Sequence, residues 1–371
     1  MSSSPSSPSD SSNPSNPSSP TQRDLDESEI ARYVREAFGS DAEAVAMSLL
    51  SGGGFASVTR IDLADGRSVV LKVGPSSGTG ILAYEHGVVG AEARYLQLIG
   101  RHIPGAPFPK LLGYGTDASP GGSEWLISEF MPGVALTAVE QEADRDTVRA
   151  DLGAAVARLH KITGDDGDHG DHGAGGGHDD RYGYDGGRAS GRTWREAFVA
   201  IIESLLDDAV QWDVDLVVPA ERVRAAVAHS ADVLDDVDRP ALLHFDLWDG
   251  NALCAADANG RWGLAGLVDG ERFLFGDPLV DFVSPAIFQR IEDEPKHPFA
   301  LGYAAVSGRP TTFTARERRR LELYRLHLYL LMTVEMPSRG MTRENQAWRF
   351  DRLEALLREC VDAVERADII E

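Results

Sequence analysis

The stretch His244-Phe245-Asp246-Leu247-Trp248-Asp249-Gly250-Asn251 sets an Asp two residues after a His, and an Asn five residues after that Asp. A further acid, Asp269, follows 18 residues beyond Asn251, where the apolar run Leu264-Ala265-Gly266-Leu267-Val268 ends. This order is the spacing of a phosphoryl-transfer site. In such a site Asp246 accepts the proton of an attacking hydroxyl. Asn251 and Asp269 hold the magnesium that bridges the phosphates of the nucleotide. Oxygen ligands with no Cys or His among them suit a hard cation rather than zinc.

Phosphates need further partners, and the chain offers them upstream. Gly52-Gly53-Gly54-Phe55 lies between two predicted strands, and glycines let backbone N–H groups approach phosphate oxygens closely. It is not a P-loop, because no Gly-Lys-Ser/Thr and no helix follow. Lys72 comes 18 residues after Gly54, inside Val69-Val70-Leu71-Lys72-Val73. An ammonium in such a strand is costly without an anion, so it is expected to meet phosphates and an acid on the next helix. Glu92 is that acid in preference to Glu85, because the helical pattern is stronger around it. His244 reads as a residue that shapes the loop by packing and hydrogen bonding. Asp277 and Asp281 read as a cap and a loop brace, with Asp281 holding backbone N–H groups of the loop.

The elements that must position these residues change character along the chain. A helix is expected over 27–38, then strands over 45–50, 57–63 and 68–73, a helix over 84–99, and strands over 111–114 and 125–130. After Met131-Pro132-Gly133 the pattern turns helical, over 145–160, 194–210, 220–234, 279–288, 317–336 and 344–367. Strands first and helices second predict an α+β chain. Residues 1–23, rich in Ser and Pro, read as a disordered tail, 24–130 as a nucleotide-binding lobe and 131–371 as a catalytic and substrate-binding lobe. Within the second lobe, 164–187 reads as a flexible Gly/Asp/His-rich insertion. Its His169, His172 and His178 lie on chain too loose to preorganise a metal site.

A net charge of −23 repels nucleic acid and anionic membranes, and favours a cationic or amine-bearing small molecule as partner. No run of apolar residues is long enough to span a bilayer. Two cysteines, Cys254 and Cys360, make no disulfide framework, which fits a reducing cytoplasm.

The ordered set resembles the aminoglycoside phosphotransferase family, within the wider choline-kinase and protein-kinase-like superfamily. The likeness runs from about Leu49 to Phe288. The family's His-Gly-Asp loop is matched by His244-Phe245-Asp246-Leu247 with Asn251, Phe245 standing in for the usual small residue. Its metal Asp is matched by Asp269, and its later element by Gly276-Asp277-Pro278 and Asp281-Phe282. The resemblance implies a bilobal kinase-like fold, transfer of a phosphate from ATP or GTP with Mg2+ to a small-molecule hydroxyl, and Lys72 with Glu92 as the phosphate-orienting pair. It also implies hydrogen bonds from the nucleobase to the backbone of Glu129, Phe130 and Met131. Trp248 in the loop is similar to fructosamine kinases, the alternative substrate class. Tyr182-Gly183-Tyr184 and Trp194 share that likeness. A protein kinase is disfavoured, because seven residues from Asp269 to Gly276 leave no room for a long activation segment. A catalytically inactive nucleotide binder is the other class, against which stands the presence of Lys72, Asp246, Asn251 and Asp269 together. The acceptor itself is not legible, so resistance and metabolism both stay open as roles.

Overall fold

The computed structural model describes residues 19–50, 53–119, 121–164 and 182–366. Helix α1 (Glu27–Phe38) starts where the Asp26 carboxylate accepts from the N–H of Ser28 and Glu29, while Glu29 accepts from the Asp26 N–H. Strands β1 (Ala44–Leu49), β2 (Ser57–Leu63) and β3 (Ser68–Val73) follow as a meander. Helix α2 (Val88–His102), β4 (Leu111–Thr116) and β5 (Glu124–Glu129) complete the first lobe. Its sheet is antiparallel throughout, in the order β1-β2-β3-β5-β4.

Strand alternation divides the labour of this sheet. Val69, Leu71 and Val73 face α1 in a core with Ile30, Tyr33, Val34, Ile61 and Trp125. Lys72 is out of phase with them and faces α2 instead, where it is buried. One period-two pattern thus builds a core and aims a cation.

The second lobe is mainly helical, with α3 (Glu142–Leu159) after the short β6 (Val134–Ala135). Next come β7 (Tyr182–Tyr184), β8 (Ser190–Gly191), α4 (Trp194–Gln211), α5 (Ala220–Ser230) and β9 (Ala241–Leu243). Strands β10 (Ala252–Ala256), β11 (Trp262–Leu267) and β12 (Leu274–Gly276) precede α6 (Pro298–Ser307), α7 (Ala315–Val334) and α8 (Arg343–Arg366). The small sheets run β11-β10-β6 and β8-β7-β12-β9. Helix α7 is buried nearly all round from Arg320 to Val334, with α4, α5 and α8 packed about it. Helices α3 and α6 cross so closely that a Cβ at Gly302 would stand 1.8 Å from the Ala150 carbonyl oxygen.

Three expectations from the sequence are corrected. Residues 19–23 are packed rather than a tail: Thr21 is buried, and this segment straps the glycine loop. Residues 182–187 are not loose, since β7 is a buried strand paired with β12 and β8. The apolar run 279–288 is not a helix. A single 3-10 turn spans Pro278–Phe282, because Pro285 lacks an N–H and obstructs a helix through that point. Gly52, His169, His172 and His178 lie outside the described residues. Among the described residues no helix is long and apolar enough to cross a membrane.

Candidate active site

The gap of 18 residues between Asn251 and Asp269 is closed by a hairpin. Strands β10 and β11 pair antiparallel with Ala252 opposite Leu267, which brings the chain before β10 beside the chain after β11. The Val268 N–H then donates to the Asn251 carbonyl at 3.1 Å. Asn251 Nδ2 donates to the Asp246 carbonyl at 2.9 Å, tying the loop to its own end.

One buried carboxylate holds the loop from below. Asp281 Oδ1 accepts from the Phe245 N–H at 2.7 Å, and Oδ2 accepts from the His244 N–H at 2.9 Å. The same Oδ2 meets His160 Nε2 at 3.0 Å, and His160 Nδ1 meets the Tyr303 hydroxyl at 2.9 Å. The Leu247 N–H donates to Ser284 Oγ at 3.1 Å. Asp277 braces further out, capping Leu279 and accepting from Arg320 and Tyr324. His244 fixes its own tautomer. Nδ1 accepts the Asp246 N–H at 3.2 Å, so Nε2 carries the proton toward the Val268 carbonyl at 3.1 Å. Burial holds the ring below its ordinary pKa, hence neutral.

Lys72 closes the other side of the cleft. Its Nζ lies 2.6 Å from Glu92 Oε2, 2.5 Å from Asp269 Oδ1 and 2.9 Å from Glu271 Oε2. Glu85 is elsewhere: it is buried, accepts from the Leu82 N–H at 2.8 Å and pairs with Arg339. Burial raises the Glu92 carboxyl to about 7 even with Lys72 beside it. At Asp269 burial works the same way, but Lys72 outweighs it and holds the carboxyl below its usual range. Asp246 has no ammonium partner. Burial and the charge of Asp269 raise it from 3.8 to about 6, with Arg272 opposing them.

The model of the phosphotransferase enzyme family matches residues 48–324 of the 371. The chain belongs to that family. No curated protein sequence matches it significantly. Its fold is similar to a Thermobifida fusca YX-ER1 structure provisionally named fructosamine-3-kinase (TM-score 0.60, 19% identity, covering 90% of this chain and 98% of that one). A Ralstonia eutropha JMP134 structure, provisionally named aminoglycoside phosphotransferase, gives a TM-score of 0.58 at 14% identity, over 92% and 98% of the two chains. A thermostable mutant of aminoglycoside phosphotransferase APH(4)-Ia, in ternary complex with AMP-PNP and hygromycin B, gives 0.54 at 21% identity, over 92% and 99%. The fold is therefore kinase-like, and membership of the family makes the protein a phosphotransferase.

The phosphotransferase holds more in its cleft than the motifs foretold. Glu271 joins Lys72 because Asp269 takes a left-handed φ of 68°, which turns the chain sharply into the next acid. Gly270 between them has no substitute, since a Cβ there would lie 2.4 Å from the Tyr95 ring. Arg272 pairs with Glu335 at 2.8 Å beneath the Tyr84 ring. A polar pair brought together from distant segments carries no periodic signal, so Glu335 was invisible in sequence. The glycine loop, described from Gly53 onward, is held from outside. Thr21 Oγ1 donates to the Gly54 carbonyl at 3.1 Å and Gln22 Nε2 to the Gly53 carbonyl at 2.9 Å. Phe55 is buried under the Arg339 guanidinium. In the linker between lobes, Glu129 N–H donates to the Lys110 carbonyl and Phe130 N–H to the Ser68 carbonyl. The Met131 side chain rests on Gly266, where a Cβ would come within 3.0 Å of it. Tyr182 and Trp194 are buried in the core, 6.4 Å apart, and are not part of the cleft.

Proposed function

We propose that this enzyme moves the γ-phosphate of ATP or GTP, with magnesium, to a hydroxyl of a small molecule, with Asp246 as proton acceptor. The observation that carries this is the convergence of Lys72 from β3, Asp246 and Asn251 from one loop, and Asp269 from the end of β11 on one cleft, three separate segments in all. Asp246, raised to about 6, is ionised at neutral pH yet basic enough to take a proton as the acceptor oxygen attacks.

The donor set fits magnesium. Asn251 uses its amide N–H on the loop, which leaves its carbonyl oxygen, and Asp269 keeps one oxygen off Lys72. Bound there, the ion would neutralise charge on the phosphates. The protein does the rest. Lys72 aligns phosphate oxygens while Glu92 steadies it. Gly53, Gly54 and Phe55 offer N–H groups, since the carbonyls of the two glycines are turned to the strap. Among Glu129, Phe130 and Met131, the N–H of Met131 is the one left for a nucleobase, because the other two are engaged. With both cysteines free and buried, a reducing cytoplasm is the setting that suits the chain. The ternary complex of the APH(4)-Ia mutant with AMP-PNP and hygromycin B supports a nucleotide and a small molecule as the two substrates.

The test is transfer of labelled γ-phosphate from ATP and from GTP across a panel of hydroxyl compounds, with magnesium varied. Transfer should require the ion, and Asn251→Ala and Asp269→Ala should each shift the magnesium titration to higher concentration. Magnesium titrations identical to the parent in both variants would sink the reading.

A further inference from the structure

A cavity of about 790 Å³ opens beside the catalytic loop, with Trp248, Asp249 and Ser284 in its wall. Resting on the phosphotransfer reading, an acceptor seated here would lie against Trp248 and Asp249 of the loop that carries Asp246. The cavity's two walls differ in charge. On the α3 side every acid is matched: Glu142 pairs with Arg145 at 2.6 Å and with Arg149 at 2.8 Å, and Arg149 also takes Asp249 at 2.8 Å. Asp146 stands 3.6 Å from Arg149. The opposite wall carries Lys296, Arg349 and Arg352, none of which makes an ion pair among the described residues. Glu294 is the one acid on that side. Arg349 feels the charge of Glu335, but in a chain of net charge −23 three cations with no ion pair around one cavity run against the composition.

Polar atoms in both walls lack partners too. Arg349 Nε, His297 Nδ1, Arg145 Nε and Asp249 Oδ1 are buried with no hydrogen bond. A buried polar atom left unpaired is costly, so these side chains gain from any shift that brings them a partner. Large aromatic faces complete the lining. Trp248 is 39% exposed, Phe288 38% and Trp348 70%, where side chains of this size are ordinarily covered. The Trp248 indole lies over Gly250, at which a Cβ would stand 2.1 Å from the ring. Arg352 lies over the Phe288 ring, 5.1 Å from its centroid.

We propose that the acceptor is an anionic alcohol with a flat body: its carboxylate or phosphate is held by Arg349, Arg352 and Lys296, and its ring lies among Trp248, Phe288 and Trp348. Arginine forks suit either anion. In the transfer the acceptor oxygen bonds to the γ-phosphorus, its proton passes to Asp246 and the nucleoside diphosphate leaves. Net charge alone favours a cationic acceptor; the charge in the cavity favours the opposite.

The test is calorimetric binding to the full chain saturated with magnesium and AMP-PNP, using four matched probes. They are para-hydroxymethyl benzoate, para-hydroxymethyl phenyl phosphate, para-hydroxymethyl benzamide and para-aminomethyl benzyl alcohol. At least one anion should bind about tenfold or more tightly than the amide, the scale of one charge-assisted hydrogen bond, and the amine should bind weakest. Which anion wins tells carboxylate from phosphate. Arg349→Gln with Arg352→Gln should erase the gap, and Lys296→Gln, at an exposed position, should narrow it. Equal binding of the four, tightest binding of the amine, or no binding of either anion overturns the inference. Nucleotide-induced thermal stabilisation reports separately on the phosphotransfer reading. Its loss with anion selectivity intact sinks that reading, and the acceptor role with it, leaving only an anion-binding cavity.

Discussion

Phe245 lies flat against His327, with ring centroids 4.7 Å apart and planes 7° apart. That contact explains how an aromatic residue occupies a backbone position with φ of 66°, where glycine is favoured. The left-handed conformation costs about 1–2 kcal/mol for a residue with a Cβ. Asp281 accepting the Phe245 N–H and the buried ring stack offset it. Burial takes His327 from 6.5 to about 3, with Arg272 adding to the effect, so the partner ring is neutral.

Two substitutions separate these contributions. Phe245→Ala keeps the strained backbone and loses the ring, whereas Phe245→Gly loses the ring and relaxes the backbone. Both should lower Tm, since emptying a buried Phe site costs about 3–5 kcal/mol. The Ala variant should be the less stable by about 1 kcal/mol. An Ala variant as stable as the Gly variant in thermal unfolding argues against backbone strain at this position.

Turnover should rise with pH through about 6, because Asp246 must be ionised to accept a proton. Stability should move the other way. The folded state holds this proton more tightly than the unfolded chain, whose Asp titrates near 3.8, so the raised carboxyl contributes stability that falls as pH climbs between the two values. Asp246→Asn should flatten that part of the stability profile and reduce turnover by about a hundredfold to ten-thousandfold, while nucleotide binding persists. A pH-rate profile of kcat that is flat from 5 to 8 (roughly the window in which such a group titrates) removes Asp246 from the role.

Lys72→Met should damage both stability and turnover. A lysine-to-methionine change keeps stem and apolar contact, which on sequence grounds predicts a tolerated fold. The structure alters that expectation, because Glu92, Asp269 and Glu271 would be left facing one another without a cation. The variant's Tm should recover on acidification, as Glu92, already raised to about 7, takes up a proton. Differential scanning calorimetry against pH checks this, and a Tm deficit that does not shrink on acidification contradicts it.

Glu85→Ala should also be destabilising, since it leaves the buried Arg339 beside Phe55 with only the more distant Glu335. Its Tm should drop, and Glu85→Gln, which can still accept from the Leu82 N–H, should restore part of the loss. Equal Tm values for parent and Glu85→Ala would mean that Arg339 finds another partner.

Removing residues 1–18 should leave activity unchanged, as their composition offers no apolar surface to dock. Removing residues 1–23 should raise the KM for nucleotide, because Thr21 and Gln22 hold the glycine loop by its carbonyls. Matching nucleotide KM values for the two truncations would show that the strap does not shape the loop.

These residues also show what could be read in advance. The succession of strands and the Lys72–Glu92 pairing follow from local pattern, since alternation sets which way Lys72 faces and helical spacing brings Glu92 to the same side, whereas the seat of β5 between β3 and β4 does not. The strap could not be read, because Thr21 and Gln22 act by hydrogen bonds to backbone carbonyls, which leave no apolar signature. Glu271 sat two residues from a predicted ligand, yet its reach depends on the φ of Asp269, which residue type does not disclose. The run from Leu279 to Phe288 looked helical by its apolar content, and Pro285 was the signal against it.

Asp281 hands the position of the catalytic loop to His160 at the end of α3 and, through Tyr303, to α6. Lys72 answers instead to α2 and the first sheet. In genetic terms, inactivating lesions far from the cleft should fall into two classes. Those in α3 and α6 would impair the chemical step, and those in α1 and the first sheet would impair capture of the nucleotide. Tyr95, edge-on to His244 and roofing Gly270, belongs to both classes, so its loss should not be suppressible from either side alone.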